Sequence, residues 1–205
     1  MSRIGIFGGS FNPVHRGHLK LAECALSELN LDRVIFVPSY RTPLKAGRDF
    51  LPSALRLRLL KAAVKKHPRF SVSDCEMRRR GASFTVDTLR YFKKKFGPRC
   101  TLYFLAGADT LADLPHWKSL EEIFRLCRFV VFTRPGIKVQ KVPPTVLWVP
   151  FDAPDISASG LRRRLRENRR AEALLPAGTV EPLRGYFKKD RFNGKEHKRS
   201  SRPRR

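Results

Sequence analysis

The sequence predicts an α/β fold: a doubly wound, Rossmann-like parallel sheet with helices on both faces, then a helical C-terminal region and a basic tail. Three observations carry this prediction. Strand-length apolar runs alternate with segments of helical period from Arg3 to Val149. The runs are apolar through their middles, as strands buried on both faces are. The connections between them are long enough for crossover helices.

Taken in order, Arg3 to Phe7 is the first strand, ending at Gly8-Gly9, and His18 to Leu29 follows as a helix with Leu19, Ala22, Leu26 and Leu29 at helical spacing. Arg33 to Pro38 is the second strand. Pro52 to His67 is an amphipathic helix, with Leu55, Leu59, Leu60 and Val64 on one side and Arg56, Arg58, Lys61 and Lys65 largely on the other. Phe70 to Cys75 is a third strand, Thr85 to Phe96 a helix, Thr101 to Leu105 a fourth strand and Leu120 to Leu126 a short helix. Arg128 to Thr133 and Val146 to Val149 complete the strands. Beyond Ile156 the pattern is helical at Leu161 to Asn168, Ala171 to Leu175 and Val180 to Phe187. From Lys188 the chain is polar, basic and poor in apolar residues, which predicts one domain over 1–187 and a disordered tail over 188–205.

Composition narrows the function classes. With 41% hydrophobic residues and 15 Phe among 205 residues, the chain has the material for a real core. No apolar run approaches the roughly 20 residues of a membrane-spanning helix, and the N-terminus leads directly into a strand with no signal-peptide pattern, so a cytoplasmic protein is expected. Cys24, Cys75, Cys100 and Cys127 form no CxxC pair, which argues for reduced, mostly buried thiols over a zinc site. The net charge of +25 points to polyanionic partners such as nucleotides or nucleic acid. Arg184 to Arg205 carries +8 of it, so the body is basic without its tail.

In an open parallel sheet, ligands bind at the carboxyl ends of the strands, where the strand order reverses. The densest cluster of functional types sits at such a place: Gly8-Gly9-Ser10-Phe11-Asn12-Pro13-Val14-His15-Arg16-Gly17-His18, between the first strand and the first helix. Adjacent glycines leave backbone amides open to phosphate oxygens. His15 and His18, three apart, can face one point at a helix N-terminus, whose positive end favours anions. Gly8-Gly9 alone reads equally well as a tight turn. The segment is neither a Walker P-loop nor a GxGxxG fingerprint.

This segment resembles the (T/H)xGH signature of the nucleotidyltransferase superfamily, and its local form is similar to that of bacterial nicotinate-nucleotide adenylyltransferases. Later segments extend the resemblance in the family's order: Val37-Pro38-Ser39-Tyr40-Arg41-Thr42-Pro43-Leu44-Lys45, Ser83 to Leu89, Gly107-Ala108-Asp109-Thr110-Leu111, Trp117, Thr133-Arg134-Pro135-Gly136, and Ile156 to Arg162. Thr42 and Leu44 stand where the family has a proline and a histidine, and Ser159-Gly160 weakens its last motif. The basic tail lies outside the pattern.

The resemblance implies transfer of the adenylyl group of ATP to nicotinate mononucleotide, giving deamido-NAD and pyrophosphate, with Mg2+ carried by the ATP phosphates and no fixed protein metal site. The attacking phosphate is already an anion, so the protein's task is to hold two polyanions and offset charge. The expected catalytic residues are His15, His18, Lys45 and Arg162, the last as a bidentate phosphate clamp or else a solvated charge in Arg162-Arg163-Arg164. Gly8, Gly9, Ser10, Phe11, Gly107, Asp109, Arg134 and Ser157 are the expected ATP and phosphate contacts. Asp109 reads also as a helix cap, and Ser157 as both cap and ligand. Thr85 and Trp117 are assigned to the nicotinate nucleotide, although an isolated Trp also suits plain packing. The alternatives are an adenylyltransferase for nicotinamide mononucleotide or phosphopantetheine, and a nucleic-acid-binding protein acting through its tail.

Overall fold

The computed structural model describes residues 1–43, 49–133, 145–152 and 154–189. Its strands are β1 (Ser2–Gly9), β2 (Arg33–Pro38), β3 (Phe70–Val72), β4 (Cys100–Gly107), β5 (Arg128–Thr133) and β6 (Val146–Pro150). They form one parallel sheet in the order β3-β2-β1-β4-β5-β6, with the reversal of strand order between β1 and β4. This is the doubly wound sheet that the alternation of strand and helix predicts. The helices are α1 (Arg16–Glu28), α2 (Ser53–Val64), α3 (Cys75–Arg79), α4 (Thr85–Phe96), α5 (Leu120–Leu126) and α6 (Ala158–Arg166), with 3-10 turns at Ala108–His116 and Glu172–Leu174 and a last helical stretch at 180–189.

Each central strand feeds two cores, because its side chains alternate between faces. Phe7, Phe36, Leu105 and Val130 point to one side, where α1, α2, α6 and the 180–189 helix cover them with Leu26, Leu59, Leu161 and Phe187. Ile4, Ile6, Leu102 and Phe104 point to the other, against Val86, Leu89 and Phe92 of α4 and Ile123 of α5. The α4 pattern is the simplest to read: apolar residues at 86, 89 and 92 bury one stripe. Lys93, Lys94 and Lys95 in its last turn suit the negative end of the helix dipole.

Two sequence expectations are corrected. The run Phe70 to Cys75 was expected to be one strand, but β3 stops at Val72 and Cys75 opens α3. The ladder ends with Phe36 opposite Val72, one last bond runs from the Ser73 N–H to the Phe36 carbonyl, and the chain then turns into α3 at its N-cap residue Asp74. Arg56 was placed on the polar side of α2, yet it is buried with Leu55, Leu59 and Leu60. It precedes Leu59 and Leu60 by three and four residues, the spacing that puts a side chain on the same helix face.

The register locates the opening in the sheet. β1 and β4 pair only as far as Ile6 opposite Phe104. Beyond that point β1 continues with β2 to Gly9 opposite Pro38, while β4 continues with β5 to Gly107 opposite Phe132. The two central strands therefore part at their carboxyl ends, and a crevice opens between Gly8 and Ala106.

Candidate active site

A cavity of about 310 Å³ occupies this crevice, within the size range of small-ligand sites. It brings together nine of the residues singled out from sequence: Gly8, Gly9, Ser10, Phe11 and His18 from the first strand end, Gly107 and Asp109 from the fourth, and Thr85 and Trp117 from the neighbouring helix and 3-10 turn. His15, Arg162 and Ser157 do not line it. Lys45 and Arg134 lie outside the described residues.

The loop after β1 is held by long-range contacts. Phe11 has φ 42°, in the left-handed region that disfavours non-glycine residues. Its ring compensates by complete burial, 5.4 Å from Phe7, 5.7 Å from Phe36 and 5.0 Å from His18 between centroids. Three carbonyl oxygens of the loop accept from protein donors: Gly9 from the Ser39 N–H at 2.9 Å, Ser10 from Arg56 Nη1 at 2.7 Å, and Asn12 from Arg162 Nη1 at 2.6 Å. Those donors offset the negative ends of three peptide dipoles beside the cavity. The buried Asn12 side chain ties the loop to the following segment, accepting from Leu51 N–H at 2.8 Å and donating to the Asp49 carbonyl at 2.9 Å.

His15 is the N-cap of α1 and His18 lies in its first turn. His18 Nδ1 accepts from the His15 backbone N–H at 3.2 Å. An imidazole accepting at Nδ1 carries its ring proton on Nε2, and His18 lines the cavity. His15 is different: it is buried, its Nδ1 has no hydrogen bond of normal geometry, and burial pushes its pKa down to about 4. Its ring abuts Gly17, where a Cβ would come within 3.0 Å of Nδ1 and 3.1 Å of Cε1. Any larger residue there would press the imidazole back by a few tenths of an ångström, so glycine gives the closest approach of helix turn and ring.

Arg162 stands behind the loop rather than in the cavity. Its Nε donates to Asp49 Oδ2 at 2.8 Å while Nη1 holds the Asn12 carbonyl. Arg166 donates to both oxygens of the same carboxylate. Asp49 is accordingly held below the usual carboxylate range, first by its hydrogen bond to Arg166 and then by Arg162. Ser157 caps α6, accepting from the Gly160 N–H at 3.1 Å.

At the end of β4, Gly107 leaves room for the exposed Asp109, whose Oδ1 would be 2.7 Å from any Cβ at position 107. Beyond it, Trp117 packs edge-on to Phe104 and Phe129, with centroids 5.7 and 5.8 Å away. Lys118 lines the same end with its Nζ 4.7 Å from the Phe84 ring centroid, a cation over an aromatic face. Glu76, which sequence reasoning did not single out, lines the cavity too. It is 6% exposed and accepts from Thr88 Oγ1 at 2.5 Å, and burial raises its pKa. Arg56 and Asp49 are further residues beside the site to which sequence reasoning assigned no role, and Asn12, part of the Gly8 to His18 cluster, was assigned none of its own. Arg56 carried a usable signal in its spacing from Leu59 and Leu60. Among the described residues, no group of three or more His, Cys, Asp or Glu side chains is placed to hold a metal ion.

Comparison with known proteins agrees with this geometry. The cytidylyltransferase-like family model matches residues 6–164. The chain is 37% identical over 205 residues to a protein of Thermoanaerobacter sp. (strain X514) described as a probable nicotinate-nucleotide adenylyltransferase, covering 94% of this chain and 97% of that one. It is 36% identical over 193 residues to the protein of the same description from Moorella thermoacetica, covering 89% of each. Among solved structures, the Plasmodium falciparum nicotinic acid mononucleotide adenylyltransferase complexed with NaAD superposes with a TM-score of 0.74 at 20% identity, covering 91% of this chain and 96% of that one. At that identity the likeness speaks for the fold.

Proposed function

The chain belongs to the nicotinate-nucleotide adenylyltransferases within the cytidylyltransferase-like family, and from that premise we propose how its residues divide the work. The enzyme transfers the adenylyl group of ATP to nicotinate mononucleotide, forming deamido-NAD and releasing pyrophosphate, a step of NAD biosynthesis. One observation carries the reading of the site: the parting of β1 and β4 joins the phosphate loop Gly8 to Phe11 and the aromatic end at Thr85 and Trp117 in a single cavity.

In this reading the triphosphate lies against Gly8, Gly9, Ser10 and Phe11. The mononucleotide phosphate attacks the α-phosphorus in line, and the P–O bond to the departing pyrophosphate breaks, so no protein nucleophile takes part. His18 donates from Nε2 to a phosphate oxygen. His15 sets the rotation of His18 through its backbone N–H and packs against its ring. Arg162 holds the Asn12 carbonyl and offers a planar fork to phosphate when it leaves Asp49. Lys45 supplies a second cation, and Asp109 and Arg134 attend the adenosine. Trp117 stacks on the pyridine ring, and Thr85 at the start of α4 accommodates the nicotinate carboxylate. Mg2+ enters with the phosphates of ATP.

The reaction belongs to the cytoplasm in this proposal, which fits four cysteines without a disulfide. The catalytic domain expected over 1–187 is closed by a helix that runs on through Lys189, and the basic tail that follows makes weak contact with nucleic acid. Truncation after Lys189, which keeps the described helix whole, should abolish a salt-dependent shift of RNA; an unchanged shift removes that role. The decisive assay mixes the protein with ATP, Mg2+ and either nicotinate or nicotinamide mononucleotide and measures pyrophosphate. Rapid release with the nicotinate form is expected, and no release with either mononucleotide would overturn the assignment.

A further inference from the structure

Arg56 is the largest fully buried side chain described, at 2% exposure. Its guanidinium joins three separate segments at the back of the phosphate loop. Nη1 donates to the Ser10 carbonyl at 2.7 Å, Nη2 to the Tyr40 carbonyl at 3.2 Å, and Nε to the Leu51 carbonyl at 3.2 Å. The Phe50 ring centroid lies 5.9 Å away. All of these partners are neutral. Among the described residues no carboxylate pairs with Arg56, and the acidic residue closest in sequence, Asp49, is engaged by Arg162 and Arg166.

This arrangement is costly unless it serves something. A buried charge is ordinarily paired, because removal from water is expensive and neutral dipoles offset it only in part. Arginine keeps its proton even where burial weakens its hold on it, as burial does here. The fold therefore retains a whole positive charge, without a counter-charge, one peptide behind a residue that lines the cavity. Arg162 grips the same loop two residues on, but its charge is matched by Asp49. In an interior of low dielectric the field of an unmatched charge reaches across several ångströms of protein.

We propose that Arg56 is a positioning residue of the adenylyltransferase site: it fixes the Ser10 loop, and its buried charge finds its counter-charge in the phosphates of the bound nucleotide. The proposal rests on the functional reading above and adds to it a cation that does not touch substrate.

The test compares wild type with Arg56→Met, Arg56→Gln and Arg56→Lys as full chains. Thermal melting with and without inorganic tripolyphosphate is measured alongside KM for ATP and for nicotinate mononucleotide. The neutral variants should lose most of the tripolyphosphate-induced rise in melting temperature and show KM for ATP raised roughly tenfold or more, with KM for the mononucleotide within about threefold. Arg56→Lys should recover most of the ATP affinity. Without ligand, Arg56→Met should melt moderately below wild type, because three carbonyls lose their donor while an unpaired buried charge is also removed; a merely structural residue would lower melting by the same amount with and without ligand, whereas the counter-charge role predicts a larger loss with tripolyphosphate present. Neutral variants that bind tripolyphosphate as wild type does overturn the proposal. So does failure of both Arg56→Met and Arg56→Gln to fold, which would make the residue a requirement of the fold. Wild type that binds tripolyphosphate yet releases no pyrophosphate overturns the adenylyltransferase reading and leaves the anion-holding charge standing. Wild type that binds no tripolyphosphate overturns both.

Discussion

The imidazole rings of His15 and His18 lie 3.7 Å apart between centroids, with 36° between their planes. Two imidazolium ions at that separation would repel strongly, and the buried member of the pair resists protonation. The stack therefore depends on a neutral His15, and it weakens when acid forces a proton onto that ring.

The pH dependence of stability follows with a definite sign. The His15 pKa falls from 6.5 to about 4 on folding, so below about pH 6.5 the unfolded chain binds a proton that the folded chain refuses. Stability from this residue is complete above pH 6.5 and drains away as pH falls toward 4, by about 2 kcal/mol between pH 7 and pH 5. Denaturant titrations at the two pH values should show that loss in wild type and a shallower one in His15→Asn. Equal slopes would contradict the buried neutral state.

Gly17→Ala places a methyl within 3.0 Å of His15 Nδ1. The ring must then give way by a few tenths of an ångström, which disturbs its stack on His18. Turnover should fall about tenfold to a hundredfold, with a loss of about 1–3 kcal/mol in stability from overpacking. Steady-state kinetics and melting measure the two effects, and a fully active Gly17→Ala would show that the histidine stack is dispensable.

His18→Ala removes an imidazole from the cavity, together with the acceptor of the His15 N–H and one ring contact of the buried Phe11. The expected loss in kcat is on the order of 10² to 10³, typical of one preorganised donor, with a melting temperature within a few degrees of wild type. Wild-type turnover would remove His18 from the chemistry.

Arg162 and Arg166 share Asp49 but differ in reach, since Arg162 also holds the loop after β1 at the Asn12 carbonyl. Arg162→Ala should lower kcat/KM about a hundredfold or more, whereas Arg166→Ala should change it less than about threefold, in keeping with the small worth of exposed ion pairs. Comparable losses in both would mean that the Asp49 cluster acts as one unit.

Trp117→Ala should raise KM for nicotinate mononucleotide about tenfold and leave KM for ATP within about twofold, because the ring sits at the end of the cavity remote from Ser10 in the reading above. It should also cost stability, since the ring packs on Phe104 and Phe129. A rise in KM for ATP alone would place the wrong nucleotide at this end.

Local pattern was enough for the sheet and for the elements that present the site. Arg33–Pro38, Thr85–Phe96, Leu120–Leu126 and Arg128–Thr133 were bounded to the residue by apolar runs and helical spacing, because both signals are properties of neighbours in the chain. The loop Gly8 to His18 was legible for the same reason: glycines, imidazoles and a strand-to-helix junction are contiguous. What tertiary structure alone decided are the partnerships made across long separations in sequence. Arg56 beneath Ser10, Arg162 on Asn12 and Asp49, and Glu76 in the cavity wall all depend on which helix covers which strand end. A cation on a helix reads as solvated until the fold supplies three carbonyls for it, since the energy that holds it inside comes from groups up to 46 residues away.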